Sequence, residues 1–274
     1  MEPLPKPRRP WIAALFSLIV PGLGQFYDGR PRRALALYAA PTVLILILFL
    51  IELQKTFPGL VILLTLVVLF RLWVVWDAAA IARRSPGYVP RWFNRWYIYL
   101  GIIILVFLLP GEEILGWMPM PVRSFKIPSV NMEPAVRQGD RITAEMRYDR
   151  SAPKRGELVI YVPPREPVQR LCRIIGLPGE QIEIRNKVVS IDGQPISDPW
   201  AEHQDPLVMP AMPHPRDNFG PAMIPEGSVF LLGDNRDYSY DSRFFGFVPI
   251  SNLKGRPLYV YWATDRSRIG TSLQ

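Results

Sequence analysis

The sequence predicts a membrane protein with two parts: an α-helical N-terminal part with about three spans, residues 1–117, and a mainly antiparallel β domain, residues 118–274. Two observations predict this division. Apolar residues of the first part form long continuous runs, whereas beyond Met118 they occur in short alternating segments separated by turn residues. The chain of 274 residues is also 49% hydrophobic and only 20% charged, which excludes a disordered or fibrous protein.

Three long apolar runs are the predicted spans, near residues 35–51, 59–76 and 96–117. The first two approach the length that crosses a bilayer, and the third reaches it only by continuing to Trp117. An earlier apolar segment, residues 11–26, is interrupted by Pro21, Gly22 and Gly24. We expect this segment to form a broken hairpin or to lie in the membrane interface.

Basic residues lie between the apolar runs, and this placement predicts the orientation. With three spans, the arginine-rich segments 30–33 and 83–95 both lie in the cytoplasm, and everything after Trp117 lies outside. We therefore expect a multi-pass protein of the cytoplasmic (inner) membrane whose C-terminal domain is on the outer, periplasmic or extracellular, side. Four full spans would place that domain inside and are the alternative. A cleaved signal peptide is not expected, because the first run ends in Pro-Gly and further spans follow.

The net charge is +8, but most of the basic residues early in the chain flank the apolar runs, so nucleic acid is not expected as a partner. The lipid bilayer is the expected partner instead. A single cysteine, Cys172, excludes an internal disulfide, and with only His203 and His214 it does not form a convincing zinc site. The sequence therefore predicts neither a metal nor a cofactor.

Turn residues divide the second part into predicted strands, at Leu158–Val162, Gln181–Arg185, Val188–Ile191, Ser228–Leu232 and Pro257–Ala263. Asn186 and Lys187 join two of them as a hairpin, and Leu177–Glu180 suits a type II turn with Gly at its second central position. Between Pro195 and Pro225 the chain is rich in Pro, Met and His. This loop is too long for a simple connector, and we expect a lid or an insertion.

Three segments of the β domain form one specific pattern in a fixed order. They are residues 125–134, FKIPSVNMEP, with Gly139-Asp140; residues 173–180, RIIGLPGE; and residues 233–246, GDNRDYSYDSRFFG. In order and spacing they resemble the type I signal peptidases, membrane-bound Ser/Lys endopeptidases that remove signal peptides outside the cytoplasmic membrane. The resemblance covers about Val122 to Trp262. It implies a signal-peptidase-like β fold, signal peptides or exported preproteins as partners, and cleavage after small residues.

The chain departs from this family at both catalytic positions. In the family, the residue before the Met of the first motif is the nucleophilic serine, and the residue before the Arg of the second is the lysine general base. Here these positions hold Asn131 and Cys172. Serine attack needs a hydroxyl and a neutral amine that accepts its proton. A carboxamide is not such a nucleophile, and a thiol is not an amine base.

The resemblance also implies roles for the residues around this pair. Ser129 matches the serine whose hydroxyl, with a backbone N–H at the nucleophile position, forms the oxyanion hole. Ser239 matches the serine that hydrogen-bonds the lysine, and Asp241 with Arg243 matches a structural ion pair. The alternatives are that Ser129 is a turn serine and that Asp241 and Arg243 only hold their loop.

Two main hypotheses follow for the function. The first is a non-catalytic relative that keeps the peptide groove and binds or positions signal peptides or exported segments. The second is an active signal peptidase with a non-standard nucleophile or base, using the Cys172 thiol or the Ser129 hydroxyl. For Cys172 the alternative is a small buried residue in the space of a lysine. A third hypothesis makes the spans the functional part; residues 21–29, PGLGQFYDG, look like a motif of small membrane modules.

Overall fold

The structure is a computed structural model that describes residues 7–85, 87–108, 122–164, 166–212 and 214–274. The chain divides into two compact units, Met1–Pro119 and Met120–Gln274. The first unit is helical and the second consists mainly of strands. We describe each unit by itself.

The helices of the first unit are α1 (Pro10–Ile19), α2 (Leu23–Tyr27), α3 (Pro31–Leu50), α4 (Phe57–Arg83) and α5 (Trp96–Leu108). Among the described residues, α4 is the one helix long and apolar enough to cross a membrane. The prediction of about three spans therefore stays a prediction. In the third predicted span, α5 covers residues 96–108, and residues 109–117 lie outside the described residues.

The first apolar segment is interrupted between α1 and α2. The residue before α2, Gly22, has φ +88°, a backbone conformation that favours glycine. Two residues on, a Cβ at Gly24 would lie 2.8 Å from the Ala78 Cβ, so α2 packs closely against α4. Ala13 of α1 packs against Ala78 as well, and both alanines are fully buried. Small residues thus let these helix backbones approach each other, as in membrane helix pairs.

A buried polar network joins α2 to α3 and α4. The fully buried Gln25 side chain donates from Nε2 to the Val74 carbonyl and to the Asp77 carboxylate, each at 2.9 Å. Arg33 donates to both oxygens of the same carboxylate, at 2.6 and 3.1 Å. Because an unpaired carboxylate is costly among apolar helices, these bonds stabilise the three helices as one unit.

The second unit consists mainly of strands that form two sheets. The first six strands are β1 (Val122–Lys126), β2 (Arg141–Glu145), β3 (Leu158–Tyr161), β4 (Arg170–Gly176), β5 (Gln181–Arg185) and β6 (Val188–Ile191). The others are β7 (Gln194–Pro195), β8 (Phe219–Met223), β9 (Ser228–Leu232), β10 (Val248–Pro249) and β11 (Leu253–Trp262), with a short helix α6 (Ser242–Phe245). One sheet has seven strands in the order β1-β2-β11-β3-β4-β9-β10, and the other has four in the order β7-β6-β5-β8. All pairs of these strands are antiparallel, which confirms the predicted antiparallel β domain.

Some predicted strands have the observed bounds and others differ. Strands β5, β6 and β9 begin and end where predicted, whereas β11 begins at Leu253 instead of Pro257. The predicted loop 195–225 is interrupted by β8, which pairs with β5. Strand β8 contains Pro221 and lies at the edge of its sheet, where a missing N–H is tolerated.

Ion pairs anchor the remainder of that loop to its surroundings. Lys187, in the β5–β6 turn, donates to the Asp237 carboxylate at 2.9 Å and to the Asp205 carbonyl at 2.6 Å. Arg216 pairs with the carboxylates of Asp205 and Asp217, at 2.8 and 2.7 Å. The loop is therefore held by polar contacts to the hairpin and to the segment that follows β9.

Candidate functional site

A cavity of about 430 Å³ is lined by residues of β1, β2, β3 and β4 of the seven-stranded sheet. Its walls are Phe125–Ser129, which ends β1 and continues past it, and Val168–Leu171, which leads into β4. The rest of the lining consists of Asn131, Ile142, Ile160, Tyr238 and Tyr240. A larger cavity of about 970 Å³ lies elsewhere in the β unit, but it contains none of the predicted site residues. The smaller cavity, called the groove below, is therefore the candidate site.

Asn131 and Cys172 are brought together at this groove. The Asn131 carboxamide donates from Nδ2 to the Leu171 carbonyl at 2.8 Å, and the same nitrogen lies 3.9 Å from the Cys172 Sγ. The backbone carbonyl of Asn131 accepts from the Asn235 N–H at 3.1 Å, and the Asn235 side chain donates to the Val130 carbonyl at 3.2 Å. Asn131 is thus fixed by its side chain to β4 and by its backbone to the loop after β9.

Cys172 is buried, with 1% of its surface exposed, and it belongs to the main hydrophobic core. Its Sγ lies 3.6 Å from the Tyr161 hydroxyl. Burial, with a smaller contribution from the nearby Asp241 carboxylate, raises the pKa of the thiol to about 12. Neither Arg170 nor Arg173 offsets this, since Arg170 lowers the pKa only slightly and Arg173 is paired with Asp234 at 2.6 Å. At neutral pH the thiol is therefore protonated and a poor nucleophile.

Ser129 lies two residues before Asn131 on the exposed rim of the groove. Its hydroxyl donates to the Asn131 side-chain oxygen. A carboxamide oxygen is not a base at neutral pH, so this bond does not activate the hydroxyl. The backbone N–H of Asn131 makes no hydrogen bond within the described part of the chain. Ser129 and this N–H are thus two donors on neighbouring positions of one loop.

The Asp241 carboxylate and the Arg243 guanidinium form a buried ion pair, with bonds of 2.8 Å to each carboxylate oxygen. Asp241 is fully buried and also accepts from the Gly233 N–H at 3.0 Å. The remaining Arg243 donors reach the carbonyls of Arg236 and Arg216, at 2.7 and 2.6 Å. All charged atoms of the pair are thereby used to fix the loop that follows β9.

Ser239 is buried next to the same loop, with 5% of its surface exposed. A Cβ at Gly233 would lie 2.5 Å from the Ser239 Cβ and 2.6 Å from the Asn131 carbonyl oxygen, so the serine packs close to the site. The Ser239 hydroxyl finds no hydrogen-bond partner among the described residues. A buried hydroxyl without a partner is unusual, because it loses its bonds to water without replacement.

Sequence reasoning did not find three residues of the site. Asn235 lies inside the third motif and donates to the carbonyls of Val130 and Asn131, but these partners become visible only in the fold. Tyr161 contacts Cys172 across the β3–β4 pair. The alternation of apolar residues in a short strand does not predict this contact. Tyr240, 55% exposed, lines the groove from that same motif.

The two histidines lie away from the groove. His203 Nδ1 is 3.8 Å from the Asp237 carboxylate, and burial lowers the pKa of His203. Within the described residues, no cluster of three or more His, Cys, Asp or Glu side chains is arranged to hold a metal ion.

Comparison with known proteins supports one family. Residues 94–262 match the model of the signal peptidase family, peptidase S26. The chain is 34% identical to signal peptidase I of Leptolyngbya laminosa over 176 residues, which cover 58% of this chain and 82% of that protein. It is 28% identical to signal peptidase I of Bacillus licheniformis over 147 residues, which cover 53% and 78% of the two chains.

A solved structure is also similar to part of the chain. The crystal structure of a signal peptidase I from Enterococcus faecalis matches with 29% sequence identity and a TM-score of 0.32. The match covers 39% of this chain and 97% of that one.

The buried ion pair predicts a large effect of Asp241→Asn on stability. The change keeps the size of the side chain but leaves the Arg243 cation buried without its counter-charge. We expect the free energy of unfolding to fall by about 3 to 5 kcal/mol. Urea unfolding of the detergent-solubilised chain measures this. Glu183→Gln is the matched control, because its partner Arg185 is 77% exposed, and such a pair contributes less than about 1 kcal/mol. Equal losses of unfolding free energy for the two changes would contradict the assignment of Asp241 and Arg243 as a buried ion pair that stabilises the fold.

The burial of Cys172 predicts slow alkylation of the native protein. Iodoacetamide needs the thiolate, and at pH 8 a thiol with a pKa of about 12 is almost fully protonated. We expect one adduct by mass spectrometry after unfolding and almost none before it, since the chain has one cysteine. Because folding raises this pKa, the stabilisation from the thiol is complete below the pKa of the unfolded state and is lost as the pH rises toward 12. Rapid labelling of the folded chain at pH 8 would contradict this account.

Proposed function

Because the chain belongs to the signal peptidase family, peptidase S26, we propose that it is a non-catalytic, membrane-bound member that binds signal peptides or exported segments in the groove. In this proposal Asn131 and Cys172 occupy the positions of the family's nucleophile and base. The relatives named above are signal peptidases, so a peptide that carries a cleavable signal is the natural ligand to test. The proposal separates binding, which the groove supplies, from cleavage, which it does not.

The pair Asn131 and Cys172 carries this proposal. The Asn131 nitrogen is held by the Leu171 carbonyl at 2.8 Å, and its lone pair is delocalised into the amide. The thiol beside it is protonated, because burial raises its pKa to about 12. An acyl-transfer site needs a nucleophile within hydrogen-bond reach of a base. These two groups supply neither.

The alternative of an active peptidase has less support from the same contacts. The Ser129 hydroxyl is hydrogen-bonded to the Asn131 side-chain oxygen, which does not accept a proton from it at neutral pH. The Cys172 thiol has the Tyr161 hydroxyl as its neighbour at 3.6 Å, and burial raises the pKa of that tyrosine as well. Tyr161 is therefore not a base for the thiol near neutral pH.

The unpaired hydroxyl of Ser239 supports the proposal that the position of Cys172 is occupied by a larger polar group in the family. Ser239 matches the serine that, in the signal peptidase family, forms a hydrogen bond with the amine of the lysine base. With Cys172 in that place, the hydroxyl remains buried without a partner in the described part of the chain. On this proposal the chain retains the serine that supports the lysine in the family, although Cys172 has replaced the lysine.

We further propose three spans, with the β unit on the outer side of the cytoplasmic membrane. Helix α4 is the strongest support, because its 27 residues are apolar around the whole circumference over most of its length. Its exposed side chains include Ile62, Leu66, Leu69 and Trp76, and such surface is costly in water and favourable in lipid. The arginines at residues 30–33 and 83–95 then lie in the cytoplasm.

Cysteine accessibility tests this orientation. Met212 is 80% exposed, and Arg91 lies in an exposed part of the arginine-rich loop. A membrane-impermeant maleimide should label Met212→Cys in intact spheroplasts and Arg91→Cys only after lysis. The unchanged chain is the control, because its one thiol, at Cys172, is buried. The reversed pattern is the result that four spans require, and it would rule out the three-span proposal.

Cleavage of a preprotein tests the function. The unchanged chain should leave it intact, since loss of the nucleophile or the base removes on the order of 10⁶ in turnover in serine proteases. The double change Asn131→Ser with Cys172→Lys should restore measurable cleavage, while either single change should not, because the two groups act as a unit. Adding Ser239→Ala to the double variant should lower its rate, since the amine would lose its hydrogen-bond partner.

If the unchanged chain cleaves the preprotein, alanine variants identify the residue responsible. Activity that Cys172→Ala or Ser129→Ala abolishes would overturn the non-catalytic proposal and establish a non-standard nucleophile. Gel electrophoresis and mass spectrometry of the preprotein distinguish cleavage at the signal peptide from unspecific degradation.

A further inference from the structure

The groove carries positive charge and hydrogen-bond donors without a negative group. Among its described lining residues, Lys126 and Arg170 are cationic and no side chain is acidic. Arg170 pairs with Glu166 at 2.5 Å, so part of its charge is compensated just outside the lining. Lys126 forms no ion pair with a described residue. The lining of the groove therefore carries a net positive charge from Lys126, which favours an anionic ligand.

The backbone N–H of Asn131 is a donor without an acceptor, because it makes no hydrogen bond in the described part of the chain. The two hydrogens on Nδ2 are not open to a ligand in the groove, since one is used by the Leu171 carbonyl and the other points at the buried Cys172 sulfur, 3.9 Å from the nitrogen. The Ser129 hydroxyl is a second donor, because it can rotate from the Asn131 oxygen toward a ligand.

A carboxylate matches these groups better than a neutral peptide carbonyl does. It has two oxygens with about four lone-pair sites and accepts charge-assisted hydrogen bonds, which are roughly twice as strong as neutral ones. A chain that continues through the groove presents one neutral carbonyl at this point, and it brings a further N–H that needs an acceptor. The donors of Asn131 and Ser129 are thus better satisfied by a chain that ends there.

We propose that the groove selects peptides with a free C-terminal carboxylate, as in the released product of a signal-peptide cleavage carried out by another enzyme. This inference rests on the proposed peptide binding and specifies its ligand. The peptide lies in the groove with its terminal carboxylate at the donors of Ser129 and Asn131, and Lys126 attracts the charge. The chain would then act after cleavage, on the released segment, and no bond is made or broken in the process.

Three forms of one peptide test this selection. The probe is a fluorescein-labelled apolar peptide ending in Ala-Gln-Ala, made as the free acid, as the C-terminal amide and with further residues after the last alanine. Fluorescence anisotropy with the full chain in detergent micelles measures the three dissociation constants. We expect the free acid to bind about tenfold more tightly than the other two forms, the value of one charge-assisted hydrogen bond. Added salt should narrow the difference, because it screens the charge of Lys126.

Matched lysine variants test whether the preference for the free acid arises in the groove. Lys126→Gln should reduce the ratio between the dissociation constants of the amide and the free acid. Lys154→Gln removes the same charge from an exposed position in the lining of the larger cavity and should leave the difference unchanged. Ser129→Ala should also narrow it. Thermal unfolding of each variant identifies any that fails to fold, and the three peptide forms compared on the unchanged chain do not depend on a variant.

The outcomes separate this inference from the proposed function. Equal binding of all three forms, or tighter binding of the extended form, would overturn the carboxylate selection and leave peptide binding in place. Binding of none of the forms would overturn both. A preference for the free acid that Lys126→Gln and Lys154→Gln reduce equally would also overturn it, because the selection would then reflect general charge and not the groove.

Discussion

The geometry of the candidate site depends on the buried ion pair between Asp241 and Arg243. Asp241 accepts from the Gly233 N–H, and Arg243 donates to the carbonyls of Arg236 and Arg216. The loop fixed in this way carries Asn235, whose backbone and side chain hold the segment that contains Asn131. A buried ion pair contributes little net stability by itself, because desolvation offsets the attraction, but loss of one partner is costly. Its role here is therefore to specify one loop conformation.

The loop fixed by this ion pair keeps the features of a catalytic site, but the side chains at its centre are not catalytic groups. A supported loop and an unused backbone N–H are typical of a site that stabilises developing negative charge. The side chains at this site, however, are a carboxamide and a protonated thiol. The unpaired hydroxyl of Ser239 lies beside them. Since an active site loses turnover when one member of a catalytic unit changes, but keeps its shape and binding contacts, this combination is consistent with a groove used for binding.

Short local patterns were sufficient to predict five of the eleven strands in the described part of the β unit. The hairpin of β5 and β6 follows from Asn186 and Lys187, whose φ values of 47° and 72° are those that a two-residue turn requires. Strand β9 follows from a short apolar run. Strand β4 was missed because it contains Arg173, whose burial depends on the distant Asp234. Strand β8 was missed because Pro221 argues against a strand unless it lies at a sheet edge, and that placement is decided by the fold.

The candidate residues of the site came from motifs, but their contacts did not. Asn131, Cys172 and Ser239 stand out only by position within the pattern, and nothing in the sequence indicates the Leu171 carbonyl or the Tyr161 hydroxyl as neighbours. The helical unit shows the same limit. Asp77 near the end of α4 is satisfied by Gln25 and Arg33, which lie far away in the chain. Such pairings require the three-dimensional arrangement, because hydrophobic periodicity carries no information about polar partners.

Photo-crosslinking from the groove tests most directly whether peptides enter it and leave intact. Tyr240 lines the groove and is 55% exposed, so a benzoylphenylalanine placed there would face a bound chain. Membranes that contain this protein as their one signal-peptidase relative are mixed with a preprotein, illuminated and analysed by mass spectrometry. The account predicts an adduct with the uncleaved precursor, a stronger adduct with an added signal segment that ends in a free carboxylate, and no release of mature protein. Release of mature protein, or the absence of any adduct, would contradict it.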